Sequence, residues 1–565
     1  MRAVNACAPR HEEVDWNAVD WRTVYRNVRR LQARIVQATQ EGRWGKVQAL
    51  QRLLTHSYSG RCLAVRRVTE NRGKKTAGVD GITWDTPAQK GQAVAELRPR
   101  GYRPQPLRRV YIPKSSNPMQ KRPLGIPTMT DRAMQSLYLL ALDPVAETQA
   151  DPNSYGFRRE RSPADAISQC FIVLRGRPGA PEWVLEGDIR ACFDRISHDW
   201  LLAHVPMDRR ILRQWLKAGY LEKDAFHATE SGTPQGGIIS PVLANLALDG
   251  LERELVQRFP PSRRASKGVH LVRYADDFIV TARSRELLET QVRPCIECFL
   301  GERGLELAPE KTHLTHIDAG FDFLGQNVRR YRGKLIIQPA KKNLRNYLNK
   351  VRGIIRTHRA ASAGELIARL NPVIRGWANY HRHVCSTATY GYCDYQVFRA
   401  LWQWARRRHP QKGARWVRRK YFQTVGRRTW TFSGEVGGEK GERKPIHLVN
   451  AAHTPIRRQV KIRAAANPYD PQWEVYFEQR RQAQMSENLQ GYPRLRRLWR
   501  EQHGCCPRCG QVITVESGWD VHHKVWRMHG GGDSVENLEM LHPVCHRQLH
   551  SREIPEGKPC PNRGI

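Results

Sequence analysis

The segment LVRYADDFIV, residues 271–280, places two adjacent carboxylates between two short apolar runs. The β-branched and aromatic residues on both sides predict a tight hairpin that carries Asp276 and Asp277. Adjacent carboxylates are costly to bury among strand residues unless a cation lies against them. A pair of divalent ions would meet this need. An acidic turn on a solvated surface is the alternative for such a pair taken alone.

A third carboxylate follows another apolar run, in WVLEGDIRACFDRIS at residues 183–197. The apolar run ends at Asp188, and the pattern then becomes amphipathic. Two Mg²⁺ ions held about 4 Å apart by carboxylates can activate a 3′-hydroxyl and neutralise a pyrophosphate leaving group. The sequence therefore predicts that Asp188 and Asp276 bridge two Mg²⁺ ions, with Asp277 beside them.

Length and charge limit the classes of protein to consider. A chain of 565 residues exceeds what one hydrophobic core usually supports, so several domains are expected. Its 94 Lys and Arg against 54 Asp and Glu give a formal charge of +40, which favours a nucleic acid partner. A membrane partner would require an amphipathic helix or a lipidation signal, and the sequence shows neither. The N-terminus lacks the apolar core of a secretion signal, so we expect a cytoplasmic protein.

The blocks TPQGGIISPVLANLALD at 233–249 and YADDF at 274–278 resemble the reverse transcriptases encoded within group II introns. The resemblance covers roughly residues 48–430. It implies a right-hand polymerase in which Asp188, Asp276 and Asp277 bind the catalytic Mg²⁺ ions. It also implies primer-side support from GLELAPEKT at 304–312 and a junction between palm and thumb at FDFLG, residues 321–325.

The same resemblance assigns contacts to the template and the incoming dNTP. Phe193, five residues after Asp188, matches the bulky residue that excludes a ribose 2′-hydroxyl. Lys114 of IPK and Arg122 of RPLGIP match the triphosphate contacts, and both cations suit phosphate. A surface charge is the alternative for Lys114. The loop that packs on the template and nucleotide matches Pro234, Gln235, Gly236 and Gly237.

The segment WQWARRRHPQKGARWVRRKYF, residues 402–422, alternates cations with the aromatic residues Trp404, Trp416 and Tyr421. Cations bind phosphates and aromatic rings stack on unpaired bases, so the pattern predicts contact with RNA. A solvated helix face is the alternative. The predicted RNA-binding cations are Arg406, Arg407, Arg408, Arg415, Arg418, Arg419 and Lys420.

Together with LNPVIRGWANYH at 370–381, this region resembles the thumb and maturase domain of the same family, which binds the intron RNA and assists its splicing. Upstream, six apolar residues share one helical face. They are Leu344, Tyr347, Leu348, Val351, Ile354 and Ile355. Polar, glycine-rich stretches at 431–445 and 481–492 predict breaks in the fold. Between them the family places a DNA-binding domain, for which the basic IRRQVKIR at 456–463 is a weak signal.

Four metal-ligand residues at the C-terminus form two pairs with equal spacing. Cys506 and Cys509 lie in CPRC, and His542 and Cys545 lie in HPVC. Two such pairs are typical of a tetrahedral structural Zn²⁺ site. Free core cysteines are the alternative, and Cys505 allows a register shifted by one residue.

Between the pairs lies DVHHKVWRMHGGGDSVENLEML, residues 520–541, and CHRQLH follows at 545–550. This arrangement resembles the HNH endonuclease module, a ββα-metal fold that cuts DNA with one divalent ion. The resemblance makes His523 the general base, gives Asn537 the task of orienting the base or bracing the loop, and implies Mg²⁺ as the ion. Its ligands would be His522, His546 and His550. A purely structural zinc finger is the alternative.

These patterns predict a multidomain α+β protein. Its predicted parts are a helical lead-in at 1–70, fingers and palm at 71–335, a helical thumb and maturase domain at 336–430, a DNA-binding region with linkers at 431–495, and a small zinc-bearing HNH domain at 496–565. The resemblance implies a ribonucleoprotein with its cognate intron RNA that nicks double-stranded target DNA and extends the cut end with dNTPs. A splicing cofactor with a vestigial polymerase site is the alternative, although all three acids are present. The oligomeric state is not predicted.

Overall fold

The computed structural model describes residues 14–553, apart from 115–116, 177–178, 224, 234–235, 261–266, 427, 438–442, 491 and 527–528. Its N-terminal part is helical, as the apolar spacing predicts. The Asp20 side chain caps the first helix by accepting hydrogen bonds from the backbone N–H groups of Arg22 and Thr23. The helices are α1 (Trp21–Gln40), α2 (Trp44–His56), α3 (Tyr58–Glu70) and α4 (Pro87–Glu96).

A four-stranded sheet follows, with the order β2-β1-β4-β5. β1 (Leu107–Lys114) and β2 (Asn117–Ile126) form an antiparallel hairpin. β4 (Tyr220–Glu222) pairs in parallel with β1 and antiparallel with β5 (Ala225–His227). The long helix α5 (Met129–Gln149) is buried along most of its length against α1, α2 and α3, so it joins the N-terminal helices to the rest of the body.

A second four-stranded sheet, with the order β6-β7-β3-β8, is antiparallel throughout. Leu185 and Phe278 pack into the main core, while Val184 and Ile279 pack into another core on the opposite face. Burial on both faces keeps the register, since a slip by one residue would exchange the faces. The strands are β3 (Trp183–Asp188), β6 (His270–Tyr274), β7 (Asp277–Ala282) and β8 (His313–His316).

Helices surround this sheet, and α6 (Pro163–Leu174) covers the face that carries Val184. The others are α7 (Cys192–Arg195), α8 (His198–His204), α9 (Arg209–Leu216), α10 (Ser240–Leu248), α11 (Leu251–Arg258), α12 (Arg285–Leu287, followed by a π turn at Leu288–Val292) and α13 (Arg293–Gly301). A three-stranded meander then connects this part of the chain to the helical domain. It consists of β9 (Phe321–Phe323), β10 (Gln326–Tyr331) and β11 (Lys334–Pro339).

A helical domain follows the meander and has a core of its own. Its first helix buries Tyr347, Leu348, Val351 and Ile355, as the helical face predicts. The second helix begins with a capping box between Ser362 and Glu365. The helices are α14 (Lys341–Thr357), α15 (Ala363–His381), α16 (Thr387–Arg408) and α17 (Ala414–Tyr421).

The predicted break at 431–445 is wrong for its described residues. Here the chain forms a three-stranded sheet of β12 (Phe422–Val425), β13 (Arg428–Gly437) and β14 (Arg443–His447). Phe432 of β13 packs into the core of the helical domain. Apolar residues alternate with polar ones along β13, as expected of a half-buried strand. This alternation predicts the sheet better than the glycine content does.

The predicted break at 481–492 is also wrong in its first half, because α18 (Glu474–Asn488) continues through it and buries Met485. After α19 (Pro493–Glu501), β15 (Asp520–His523) pairs antiparallel with β16 (Leu538–Leu541), and α20 (Pro543–Glu553) follows. This is the order of elements expected for a ββα-metal fold.

Among the helices of the described residues, none combines the length and the apolar character needed to cross a membrane.

Candidate functional site

Three acids meet at one end of the second sheet. In the antiparallel register of β3 and β7, Asp188 lies directly opposite Asp277. The predicted hairpin of β6 and β7 is confirmed, and Asp276 lies in its turn. The preceding residue, Ala275, has a φ of 58°, an uncommon value for a residue other than glycine. Strand pairing thus brings together acids that are far apart in the sequence.

The surroundings of the two turn acids favour the protonated form. Loss of hydration and the charge of Asp188 raise the pKa of Asp276, against the opposing effect of Arg122. Loss of hydration, together with repulsion from Asp276 and Asp188, raises the pKa of Asp277 to about 6. Carboxylates that repel one another in this way suit hard divalent cations, which prefer oxygen ligands. The three acids therefore fit the chemistry of a Mg²⁺ site.

Lys311 lies against the acids, although the sequence pattern predicted no role for it beyond membership of the primer-side block. Its ammonium group forms an ion pair with Asp188. The lysine side chain is largely exposed, at 62%. The Asp188 side chain is only 16% exposed, so the carboxylate keeps its place while the exposed ammonium group can be displaced by another cation.

A buried arginine supports the turn from below. The guanidinium of Arg273 donates to the carbonyl of Ala275 and to Oδ1 of Asn245, both at 3.3 Å, and pairs with Asp249. Gly156 packs against the same turn, where a Cβ atom would meet the backbone nitrogen of Ala275. This support was not predicted from the sequence, although an arginine inside the apolar run LVRY is a usable signal.

Phe193, five residues after Asp188, lines a cleft of about 340 Å³ together with Arg109, Tyr111 and Gly232. Its ring is half-buried and meets that of Phe157 edge to face, with centroids 6.1 Å apart. The backbone carbonyl of Phe193 accepts a hydrogen bond from the N–H of Thr233 at 2.6 Å. The contact with Phe157 therefore orients the ring at the wall of the cleft, and the hydrogen bond to Thr233 fixes the backbone that carries it.

The predicted nucleotide contacts are described in part. Arg122 lies on β2, is exposed, and is close enough to Asp276 to lower its pKa. Gly236 has a φ of 116°, and a Cβ there would meet the carbonyl of Gly125 in RPLGIP. Lys114 ends β1, but its side chain lies outside the described residues, as do Pro234 and Gln235.

All seven predicted RNA-binding cations, Arg406, Arg407, Arg408, Arg415, Arg418, Arg419 and Lys420, are exposed. Some already have aromatic partners, since Lys420 lies 4.9 Å from the ring centroid of Trp416 and Arg418 lies 4.6 Å from that of Trp430. The predicted stacking role of Trp404 and Tyr421 is wrong in this structure, because both rings are buried in the core of the helical domain. Trp416, 37% exposed, remains available to a base.

The basic stretch 456–463 lies against the polymerase body. Asp165 of α6 accepts hydrogen bonds from the backbone N–H of Ile462 and the side chain of Gln459, at 2.9 and 3.0 Å. Lys461 donates to Gln169 of the same helix at 2.8 Å. Part of the polar surface of this basic stretch therefore forms hydrogen bonds to α6.

At the C-terminus, Cys506, Cys509, His542 and Cys545 form a buried cluster whose candidate ligand atoms all lie within 4.8 Å of one another. A tetrahedral zinc site with Zn–S bonds of about 2.3 Å would place ligand atoms at separations of this order. The residues therefore fit a structural Zn²⁺ ion. The partly exposed Cys505 is not part of the cluster, which favours the unshifted register.

A second cluster contains His522, His546 and His550, again with candidate ligand atoms within 4.8 Å. His522 is on β15, while His546 and His550 are one turn apart on α20. Loss of hydration and the neighbouring imidazoles lower the pKa of His522 to about 4, so it is neutral at physiological pH. Neutral imidazoles are the form that binds a divalent metal.

His523 is adjacent in sequence but lies outside this cluster, and its Nε2 contacts Oδ1 of Asp533 at 2.8 Å. The hydrogen bonds of Asn537 to described residues do not include one to His523. Its side chain instead bonds to the backbone of Val525 and Gly532 at 2.8–3.1 Å and braces the loop.

Two carboxylate partners of these histidines were not predicted from the sequence. Asp533 partners His523, and Asp520 lies 3.3 Å from Nδ1 of His546. Asp520 could have been noticed, because it precedes His522 by two residues and so shares a strand face with it. Asp533 comes from a glycine-rich loop, in which spacing does not predict side-chain direction.

Comparison with known proteins agrees with this organisation. Four family models match the chain: the N-terminal domain of reverse transcriptase at residues 16–97, reverse transcriptase (RNA-dependent DNA polymerase) at 112–328, the group II intron maturase-specific domain at 344–422, and HNH endonuclease at 506–552. The chain thus carries a mixed α/β reverse transcriptase fold, a helical maturase region and an HNH domain.

Among curated proteins, the chain is 34% identical to Protein YkfC of Escherichia coli over 333 residues, 51% of this chain and 85% of that protein. It is 30% identical to Group II intron-encoded protein LtrA of Lactococcus lactis over 356 residues, 52% of this chain and 59% of LtrA. The aligned region thus spans less than two thirds of LtrA.

Among solved structures, telomerase from Candida albicans aligns with a TM-score of 0.34 and 12% identity, covering 56% of this chain and 65% of that one. The identity and coverage shared with YkfC, the four matching family models and the likeness to LtrA lead to one assignment. The chain belongs to the group II intron-encoded reverse transcriptases and carries a maturase-specific domain and a C-terminal HNH endonuclease domain.

Proposed function

We propose that the chain copies RNA into DNA at a centre in which Asp188, Asp276 and Asp277 hold two Mg²⁺ ions. The observation that carries this proposal is the register of β3 and β7, which sets Asp188 opposite Asp277 beside the turn that carries Asp276. A vestigial site would not need this arrangement, nor the buried Arg273 beneath it. The ions, when bound, would make the 3′-hydroxyl easier to deprotonate and would neutralise charge on the leaving pyrophosphate.

The chain's own residues would position the substrates. Arg122, Lys114, Gln235 and Gly236 would contact the incoming dNTP and the template, while the ring of Phe193 would exclude a ribose 2′-hydroxyl. The exposed Arg122 already influences Asp276, which supports a place beside the triphosphate. Lys311 would leave Asp188 when the cations are present, because its ammonium group is exposed and divalent ions carry the larger charge.

At the nuclease centre, His523 would take a proton from the attacking water, and Asp533 would hold its imidazole in place. His522, His546 and His550 would hold a divalent ion, Mg²⁺ in this proposal, whose chemistry is to polarise the scissile phosphate. Asn537 would keep the adjoining loop in shape. Cys506, Cys509, His542 and Cys545 would hold a structural Zn²⁺ ion.

The partners in this proposal are the cognate intron RNA, double-stranded target DNA and dNTPs. The maturase-specific domain and the likeness to an intron-encoded protein support the RNA partner. The exposed cations at 406–420 are its proposed phosphate contacts. A nick in the target would create the 3′-hydroxyl that the polymerase extends, so the two activities form one sequence. Reduced, metal-holding cysteines suit a reducing compartment, and we place the reaction in the cytoplasm.

A two-variant experiment tests this sequence of reactions with the full chain, its intron RNA and a labelled DNA target. We expect Asp276→Ala to lower primer extension about a thousandfold, because several kcal/mol of charge stabilisation are lost, while nicking continues. We expect His523→Ala to lower nicking about a hundredfold or more, while extension of a supplied primer continues. Undiminished extension by Asp276→Ala, or undiminished nicking by His523→Ala, would contradict the corresponding assignment.

A further inference from the structure

The HNH domain lies on the N-terminal helices of the reverse transcriptase. Nε1 of Trp21 in α1 donates a hydrogen bond to Oε1 of Gln548 in α20 at 2.9 Å. Nε2 of the same glutamine donates to the carbonyl of Asn17 at 2.8 Å. Arg22 donates to the carbonyl of Pro507, within the first cysteine pair, at 3.3 Å. The contact is therefore specific and partly polar.

Apolar packing continues across the same contact. Cys506, Cys509 and Cys545 belong to one continuous core with residues of α1 and α3, including Trp21 and Val65. The cysteine cluster is thus buried by the neighbouring domain as well as by its own. Removing either side would expose apolar surface on the other.

Arg66 of α3 is the cation at this interface. Its side chain is only 6% exposed, its Nε donates to Glu70 at 2.9 Å, and its guanidinium carbon lies 4.4 Å from the ring centroid of Trp21. Its Nη2 points toward Sγ of Cys545, at 3.6 Å. The guanidinium is therefore held in one orientation, with a nitrogen directed at a candidate metal ligand.

The charge of a loaded site explains why a cation lies there. Three cysteine thiolates, one neutral histidine and Zn²⁺ together carry one net negative charge. All four ligands are buried, and an uncompensated charge in such a place is unfavourable. A hydrogen bond from a cation to a ligand sulfur offsets that charge and fixes the orientation of the ligand.

We propose that Arg66, in the N-terminal domain of the reverse transcriptase, is a positioning residue for the zinc site of the HNH domain, so that zinc binding and nuclease docking stabilise each other. This inference rests on the proposed Zn²⁺ ion at the cysteine cluster. In this proposal the nuclease domain is docked at a fixed position on the polymerase and is not connected to it by a flexible linker alone. It also makes the N-terminal helices sensitive to the metal content of a domain more than 400 residues away in the sequence.

The first test measures zinc release from the full-length, zinc-loaded protein to the chromogenic chelator pyridylazoresorcinol. Arg66→Met keeps the apolar stem and removes the charge and the donor, and we expect it to release zinc about tenfold faster or more. Arg34→Met changes an exposed arginine of α1 in the same way, and it should release zinc at the wild-type rate. Equal rates in all three proteins would overturn the inference.

The second test uses the wild-type chain and does not depend on how Arg66→Met folds. Hydrogen–deuterium exchange is compared before and after the chelator removes zinc. We expect amides in residues 16–25 to exchange about tenfold faster or more without zinc, while those of α14 in the helical domain keep their protection. Unchanged exchange in residues 16–25 would overturn the inference alone. A wild-type chain that binds no zinc would overturn both the zinc assignment and the inference, whatever the nicking activity.

Discussion

The proposed polymerase centre and the proposed nuclease centre would hold their cations with different kinds of ligand. The polymerase centre uses acids that repel one another, with a pKa raised to about 6 at Asp277. The nuclease centre uses imidazoles, with a pKa lowered to about 4 at His522. In both centres the surroundings favour the neutral form of the ligand. Neutral histidines can gather without a cation, whereas ionised acids need one nearby, and Lys311 lies against Asp188.

The supports of the two centres differ as well. The acids rest on the fully buried Arg273 and its partner Asp249, whose side chain is 7% exposed. The proposed base His523 is held by Asp533, a carboxylate that is 52% exposed. A buried support is costly to break, while an exposed one is partly replaced by water. The polymerase centre should therefore be the more sensitive to loss of its support.

The largest effect is expected from Arg273→Leu, which leaves Asp249 buried without its cation. The loss should lower the free energy of unfolding of the polymerase body by about 3–5 kcal/mol and reduce primer extension with it. Urea unfolding followed by the fluorescence of the buried tryptophans measures the change. As a control, Arg285→Leu removes an exposed arginine paired with Glu289 and should cost less than about 1 kcal/mol. Equal losses in the two variants would mean that the buried pair does not support the turn.

A smaller effect is expected from Asp533→Asn at the nuclease. Loss of the carboxylate should lower the rate of nicking about tenfold, because the imidazole of His523 is then less well oriented. The Mg²⁺ concentration for half-maximal nicking should stay the same, since Asp533 is outside the histidine cluster. Glu536→Gln, a change at another exposed acid of this loop, serves as the control and should nick normally. A changed Mg²⁺ requirement in Asp533→Asn would place this residue in the metal site instead.

The smallest effect concerns pH. The pKa of Asp277 in the folded protein, about 6, is raised above its ordinary value, so this group's contribution to stability is present at low pH and is lost as pH rises through 6. Mg²⁺ binds the ionised carboxylate and must compete with the proton at lower pH. Lowering the pH from 7.5 to 5.5 should therefore weaken Mg²⁺ binding at the polymerase centre about fourfold. Titration calorimetry with His522→Ala, which removes a proposed ligand of the nuclease ion and leaves the polymerase acids intact, measures this change.

His522 supplies the comparison within the same pH range. Because its pKa is about 4, it remains neutral down to pH 5.5 and keeps its ability to bind a metal.

A stability test of the raised pKa of Asp277 uses Asp277→Asn without Mg²⁺. The raised pKa sets the direction of the change in stability, and the exposure of Asp277 keeps that change small. This variant should therefore melt at a slightly higher temperature than wild type at pH 7.5 and at nearly the same temperature at pH 3.5. A variant that melts lower at pH 7.5 would contradict the raised pKa.

Local patterns in the sequence predicted much of both centres. The YADD hairpin, the helical face of α14, the paired cysteine spacing and the imidazoles one turn apart on α20 all occur in the structure. Each depends on residues within one turn, one strand or one helix, where backbone geometry sets the spacing. The prediction of a break at 431–445 was wrong because it was based on glycine and charge content. The described residues of this stretch belong to a sheet.

By itself, the sequence determined which residue types could form the two centres and the cysteine cluster. The tertiary structure alone decided that Asp188 faces Asp277, that Arg273 supports the turn, and that Arg66 points at Cys545. These contacts join residues from different helices, strands and loops, so no periodic pattern in the sequence predicts them. Their energy comes from burial and charge pairing, which arise only when separate elements pack together.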